Sequence, residues 1–430
     1  MGFGIYVFPA ISKLILPLAI LFFVYLVLSN NNRNDEALMG AAYVMGFEVL
    51  SRMTSAAISY EFAKYMVIVF LIFGMFYRGF HRKSWPYVLF MFLLIPGIVF
   101  SAINLNYDTN VANAIGFNLS GPVCLAFSAL YCYDRKMPFE RLQTILLCVL
   151  LPLVSTVTYL FFYTPDLRDS LSGTGSNFAA SGGFGPNQVA TILGLGMFIL
   201  FTRLLTVKDK LVNVFDFILL SFMSYRAIVT FSRGGVIAAA ICAVLFLYFY
   251  FKLLPPRDRS ILVPKIFMIS GVLVITWLVT VFFSSGLIVK RYSNEDAAGN
   301  LKSDITTGRS KIIETELSAF YENPISGVGV GKGKEYREEK TGVRAASHNE
   351  TSRMLSEHGI FGLFGLLVLL FTPLLFRIKN RTNIFFYSCL AFWFITINHS
   401  SMRIAAPALI YGLSLISIID AKRKDSIYRQ

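Results

Sequence analysis

The sequence predicts an all-α polytopic integral membrane protein, and three observations carry that prediction. Of 430 residues, 55% are hydrophobic and only 15% charged, whereas a soluble domain has about a quarter of its residues charged. The mean hydropathy is +0.62. Apolar runs recur at the ~17–25 residues that a helix needs to cross ~30 Å of hydrocarbon.

The elements follow in chain order. Residues 14–28 read as a first span, since the N-terminus lacks the basic flank and small-residue cleavage site of a secretory signal. Residues 35–60 are only moderately apolar and carry Glu48 and Arg52, so they read as a re-entrant or interfacial segment. Residues 62–77 span again. Further spans are predicted at 86–105, 111–133, 142–163, 187–205, 214–231, 235–254, 262–285, 356–376, 385–397 and 404–419, about twelve in all.

The net charge of +14 would suit nucleic acid if it formed one patch, but it is divided among short links. Arg78, Arg82 and Lys83 form one cluster; Arg135, Lys136 and Arg141 another; Lys208 and Lys210 a third. Lys252, Arg257 and Arg259 follow, then Arg377, Lys379 and Arg381, then Lys422, Arg423 and Lys424. Positive residues favour the cytoplasmic side, and an even number of crossings separates each cluster from the next. The chain therefore reads as one transmembrane domain, 1–430, with a cytoplasmic C-terminus. Cys124, Cys132, Cys148, Cys242 and Cys389 all fall in apolar runs and match no zinc spacing, so they read as buried hydrophobes.

This topology leaves three features outside: the Gly/Ser-rich loop 164–186, the turn Phe231-Ser232-Arg233-Gly234-Gly235, and the long polar loop 286–355 with its short helices. Loops beyond ~15 residues are usually functional or disordered. Arg233 surfaces at a helix end, and the glycines after it permit close approach of a ligand or a neighbouring helix. Arg226 lies two turns earlier on the same face and must meet a polar cavity or a partner. A cationic cleft of this kind suits phosphate or diphosphate. The glycines of Gly327-Val328-Gly329-Val330-Gly331 miss the P-loop spacing and exclude that mode of nucleotide binding.

Ser347-His348-Asn349-Glu350 has the pattern of a capping box. It predicts His348 in the first turn of a helix, where the dipole keeps imidazole neutral and fit to act as a general base. His399 and Arg403 fall at the same face, and Arg403 reads as a further cleft cation. No hydrolase triad or metal-ligand spacing is present.

His348-Asn349, nine residues, then Gly359-Ile360-Phe361-Gly362 resembles the H-[NSQ]-x9-G-x-x-G signature of the O-antigen ligase family. Gly185-Pro186-Asn187, Phe231-Ser232-Arg233-Gly234-Gly235, Thr307-Gly308-Arg309 and Asn323-Pro324-Ile325-Ser326-Gly327-Val328-Gly329 are similar to other elements of the ligase and polymerase superfamily. The resemblance covers about residues 182–376. It implies a GT-C-like architecture in the bacterial inner membrane, with the active site facing the periplasm. It also implies an inverting, metal-independent glycosyltransferase without a cofactor, moving a glycan from undecaprenyl diphosphate to a glycan, lipid or protein hydroxyl. On that pattern His348 is the base and Arg233 and Arg309 bind the diphosphate. Arg226, Arg403, Asn187, Ser232 and Glu350 would support them. Repeat-unit polymerisation and protein O-glycosylation fit the same pattern. A transporter or flippase for an anionic lipid-linked substrate is the reading from another class; it would show inverted repeats, and none is visible.

Overall fold

A computed structural model describes residues 1–164, 173–302 and 308–419. Part of the loop 164–186, Thr307, and the cluster Lys422, Arg423 and Lys424 lie outside the described residues. Helices occupy most of the rest. They are α1 (Gly2–Val7), α2 (Ala10–Asn30), α3 (Glu36–Met53), α4 (Phe62–Arg78), α5 (Trp85–Asn104), α6 (Val111–Cys132) and α7 (Phe139–Tyr163). Next come α8 (Pro186–Thr206), α9 (Lys210–Val229), α10 (Arg233–Leu253), α11 (Pro256–Phe283) and α12 (Leu287–Tyr292). The last are α13 (Arg309–Glu322), α14 (Gly333–Thr341), α15 (Glu350–Lys379), α16 (Phe386–Ser400) and α17 (Ala406–Ser414).

Among the described residues nine helices are long and apolar enough to cross a membrane, against the twelve or so expected. The difference falls on α4, α16 and α17, which have 17, 15 and 9 residues. At 1.5 Å per residue the shortest reaches only about 14 Å. Their apolar runs are real, but α17 ends in a short parallel strand pair, Lys136–Pro138 with Ser417–Ile419. Segment 35–60 is largely the helix α3, buried from Ala37 to Leu50 apart from Met39 and Tyr43.

The helices divide into two compact units. One comprises Met1–Leu26, Ala42–Ile58 and Glu140–Ile305; the other Val27–Ala41, Ser59–Phe139 and Thr306–Gln430. In the first, α8 packs against α9 and α10. A Cβ on Gly235 would lie 2.0 Å from the Ala190 carbonyl oxygen, so the glycine after Arg233 serves a neighbouring helix. Glu48 and Arg52 pair at 2.5 Å, and Arg52 also donates to Gln188 Oε1 at 2.8 Å. Two charges in a moderately apolar stretch thus satisfy one another inside the fold.

The second unit is organised around a break in α15. Gly359 sits at φ 58°, ψ −136°, a region that a side chain rarely enters. The helix loses its backbone bonding there, and the segment 323–331 takes up the freed groups. Val328 N–H donates to Ser356 O at 2.8 Å, Gly329 N–H to Glu357 O at 3.2 Å and Ile360 N–H to Pro324 O at 2.8 Å. On its other side Val330 N–H reaches Gly97 O of α5 at 3.1 Å, and Ser101 Oγ donates to Val330 O at 2.6 Å. A buried extended segment must pair its polar groups, and this one pairs with two helices. The alternating glycines make room: a Cβ on Gly327 would sit 2.5 Å from the Glu357 carbonyl carbon, and one on Gly329 2.7 Å from Ser101 N.

Candidate active site

Within the second unit, Gly308 adopts φ +85° and opens α13, making Arg309 its first residue. The Arg309 Nη1 group lies 3.0 Å from His399 Nδ1 and donates to His399 O at 3.3 Å. A guanidinium only donates, so Nδ1 is the acceptor in this contact. Arg337 of α14 is buried and pairs with buried Glu316 at 2.7 Å. Its other nitrogen donates to Ala345 O. Ser352 Oγ donates to the second Glu316 oxygen at 2.5 Å. Burial pushes the Glu316 carboxyl above its usual range, against the pull of its Ser352, Ser347 and arginine partners.

His348 stands at the edge of this arrangement. It lines a cavity of about 620 Å³ together with Arg309, Ile312, Arg337 and Val343. The capping-box expectation is off by two residues. The N-cap is Asn349, whose side chain accepts Ser352 N–H at 3.1 Å, so His348 precedes the helix instead of sitting in its first turn. Glu350 forms no box; it is fully buried and pairs with Arg353. The ring is still kept neutral, by other causes. Burial, then Arg403, Arg309 and Arg337, lower the His348 pKa from 6.5 to about 4. Its Nδ1 is buried with no hydrogen-bond partner among the described residues, and no carboxylate orients the ring.

The backbone of this segment is tethered. Arg403 donates to Ser347 O, and Ser401 N–H donates to His348 O at 3.2 Å. Beneath it, Arg353 bridges Glu350 and Glu357, the latter at 2.6 Å, and donates to Asn118 O at 3.0 Å. Glu357 accepts Gly331 N–H at 3.0 Å, which ties the network to the inserted segment. Glu350 is thus part of a buried ion-pair network.

The first unit gathers the remaining sequence candidates. Ser232 Oγ donates to Asn187 Oδ1 at 2.8 Å, and Arg233 begins α10, reaching Arg291 O at 3.5 Å. Arg291 Nε donates to Phe231 O at 2.9 Å, bracing a turn in which Phe231 has φ +57°. Lys302 donates to Thr174 Oγ1 at 2.6 Å. Its ammonium pKa is lowered first by burial and then by Arg291, with Arg233 adding to it and Asp296 opposing. Arg226, expected in an open cleft, is 1% exposed. It donates to Phe161 O and Thr164 O at 3.1 and 3.0 Å, the free carbonyls at the end of α7, where a cation meets the negative end of the helix dipole.

Residues 218–367 match the family model described as O-antigen ligase. Over that stretch the chain is similar to the O-antigen ligase family, which supports a likeness to the ligase and polymerase superfamily. No curated protein and no solved structure matches the chain. The matched stretch takes in Arg226, Arg233, Arg309, His348 and the Gly359–Gly362 pair, while Asn187, His399 and Arg403 fall outside it. Sequence reasoning missed Glu316, Arg337, Arg291 and Lys302, and placed His399 at the right face without giving it a role. Only Arg337 had a signal, its place in the charged stretch 332–344, and that pattern reads equally as a solvated surface.

Proposed function

We propose that the chain is a glycan transferase that moves a saccharide from undecaprenyl diphosphate to an acceptor hydroxyl on the periplasmic side of the bacterial inner membrane. The observation that carries this reading is His348, neutral and facing a cavity shared with Arg309 and Arg337. His348 takes the acceptor hydroxyl proton as the oxygen attacks the anomeric carbon. The bond to the diphosphate oxygen breaks with inversion, and the departing charge is held by arginines. A diphosphate leaves as an anion, so the group opposite the base must supply positive charge and need not supply a proton. Arg309 and Arg337 have that character. Arg233, with Arg291 and Lys302, forms a separate set whose matching chemistry is also a phosphate-rich ligand.

Two features support ligase-type chemistry over transport of an anionic lipid. A transporter uses charge to bind and needs no base, whereas His348 is held neutral among cations. The cations are also anchored by carboxylates and backbone carbonyls, as suits a fixed site. The test is incubation of the purified protein with a labelled undecaprenyl-diphosphate glycan and candidate acceptors, followed by identification of the product. A new glycosidic bond of inverted configuration is expected. Translocation of intact donor without transfer overturns the reading.

A further inference from the structure

A second cavity in the same unit shares no lining residue with the one at His348. It encloses about 380 Å³ and is lined by Asn110, Asn113, Phe117, Asn118, Lys334 and Arg344, with Asp108 at its exposed rim. Lys334 is the informative residue. Its ammonium sits 4.4 Å from the centre of the Phe117 ring, and no carboxylate pairs with it among the described residues. A cation over an aromatic face is held in place without being neutralised, so its charge and its N–H donors remain for a ligand.

Two carboxylates line the cavity, Asp108 at its exposed rim and Glu335, and the second is committed elsewhere. Glu335, the next residue, accepts from Asn106 N–H at 3.1 Å, from Thr109 Oγ1 and from Lys332 Nζ at 3.0 Å. Lys332 and Glu335 thus close the back of the cavity on the turn 106–109 and leave Lys334 facing inward. Burial, then Arg403, depresses the Lys334 ammonium pKa, with Glu357 opposing and Arg344 and Arg337 adding; an anion arriving here relieves that repulsion. A narrower polar recess shares Phe117 and Asn118 with the cavity and is lined also by Ser347 and Arg403. Ser347, on its wall, is the residue just before His348.

We propose that this cavity holds an acid-bearing sugar unit of the acceptor glycan, with Lys334 as the residue that selects for its negative group. Amide side chains at Asn110, Asn113 and Asn118 are suited to sugar hydroxyls, which both donate and accept, and the lysine supplies the charge. The assignment of this ligand as the acceptor rests on the transferase reading given above; the binding itself does not.

The test is isothermal titration calorimetry of the full-length protein in phosphatidylcholine nanodiscs. The probes are tetragalacturonate and its methyl ester. Tetragalacturonate should bind, with the ester and Lys334→Met each weakening binding by about tenfold or more. Lys334→Arg should retain most of the affinity. Lys340→Met, which removes an exposed lysine paired with Glu322, should leave it unchanged, and unchanged thermal melting of Lys334→Met excludes misfolding. Equal binding of acid and ester overturns the proposal, as does wild-type affinity in Lys334→Met. Competition by phosphatidylglycerol added to the nanodisc assigns the cavity to lipid headgroups and likewise overturns it. A loss of transfer chemistry without loss of this binding counts against the transferase reading alone.

Discussion

The two units each gather basic residues, and they hold them differently. In the first, Arg233 and Arg291 donate to backbone carbonyls, and Lys302 donates to a threonine hydroxyl. These contacts hold the basic side chains in place at the start of α10 and the end of α12. In the second, Arg337 and Arg353 are locked to Glu316, Glu350 and Glu357, and a histidine stands against them. Carboxylates hold these arginines rigid and moderate the field that His348 feels. The difference fits the proposed function, in which the first set contacts an anionic ligand and the second positions a base.

Removing the base should break that comparison most sharply. His348→Ala should lower transfer by about 10²–10⁴-fold, the range for a general base, with donor affinity preserved. Arg233→Ala should do the reverse, weakening donor binding while single-turnover transfer at saturating donor stays within a few-fold. Titration of labelled donor beside a single-turnover assay separates the two. A parallel loss of both quantities in both variants would erase the distinction.

Next in size is the cavity itself. Arg309→Ala and Arg337→Ala should each reduce transfer at limiting donor by about 10–100-fold, the worth of one charge-assisted hydrogen bond. Arg337→Ala should also lower the melting temperature, because it leaves buried Glu316 unpaired. Arg309→Ala, at a helix start, should barely change melting.

Smaller effects concern the scaffold. Gly359→Ala places a side chain at positive φ and 2.5 Å from Ile325 O, which should cost about 1–3 kcal/mol and show as a lower melting temperature. Arg226→Met removes the cation at the end of α7 and should cost about 1–2 kcal/mol, with activity per folded molecule little altered. A large loss of donor affinity in Arg226→Met would move that residue from scaffold to site.

Much of this architecture was legible in the sequence, for reasons that also mark the limit. Hydrophobic length and the spacing of basic clusters located the long helices, because both follow from the energetics of crossing hydrocarbon. They gave three spans more than the nine long apolar helices, at α4, α16 and α17, where the apolar run folds into a shorter helix. His348 stood out through its spacing to Gly359 and Gly362, and the structure supplies a reason for that spacing: the glycines make the kink that admits the 323–331 segment. The register of the cap was not legible, since Ser347 and Asn349 can each cap a helix and only packing decides. Nor was the role of Arg337 or Glu316, whose pairing at a sequence separation of 21 leaves no periodic trace.

The account turns on a histidine kept neutral by burial and by arginines, and its pH dependence tests that most directly. A folded-state pKa near 4 against about 6.5 unfolded means that the folded protein binds fewer protons between those values. Stability should therefore fall as pH drops through that window and level off below it. For catalysis, kcat/KM reports the free enzyme, so its acid limb should lie near pH 4 and move upward in Arg337→Gln. A limb that stays near 6.5 in both proteins would contradict the proposed base and its cationic surroundings.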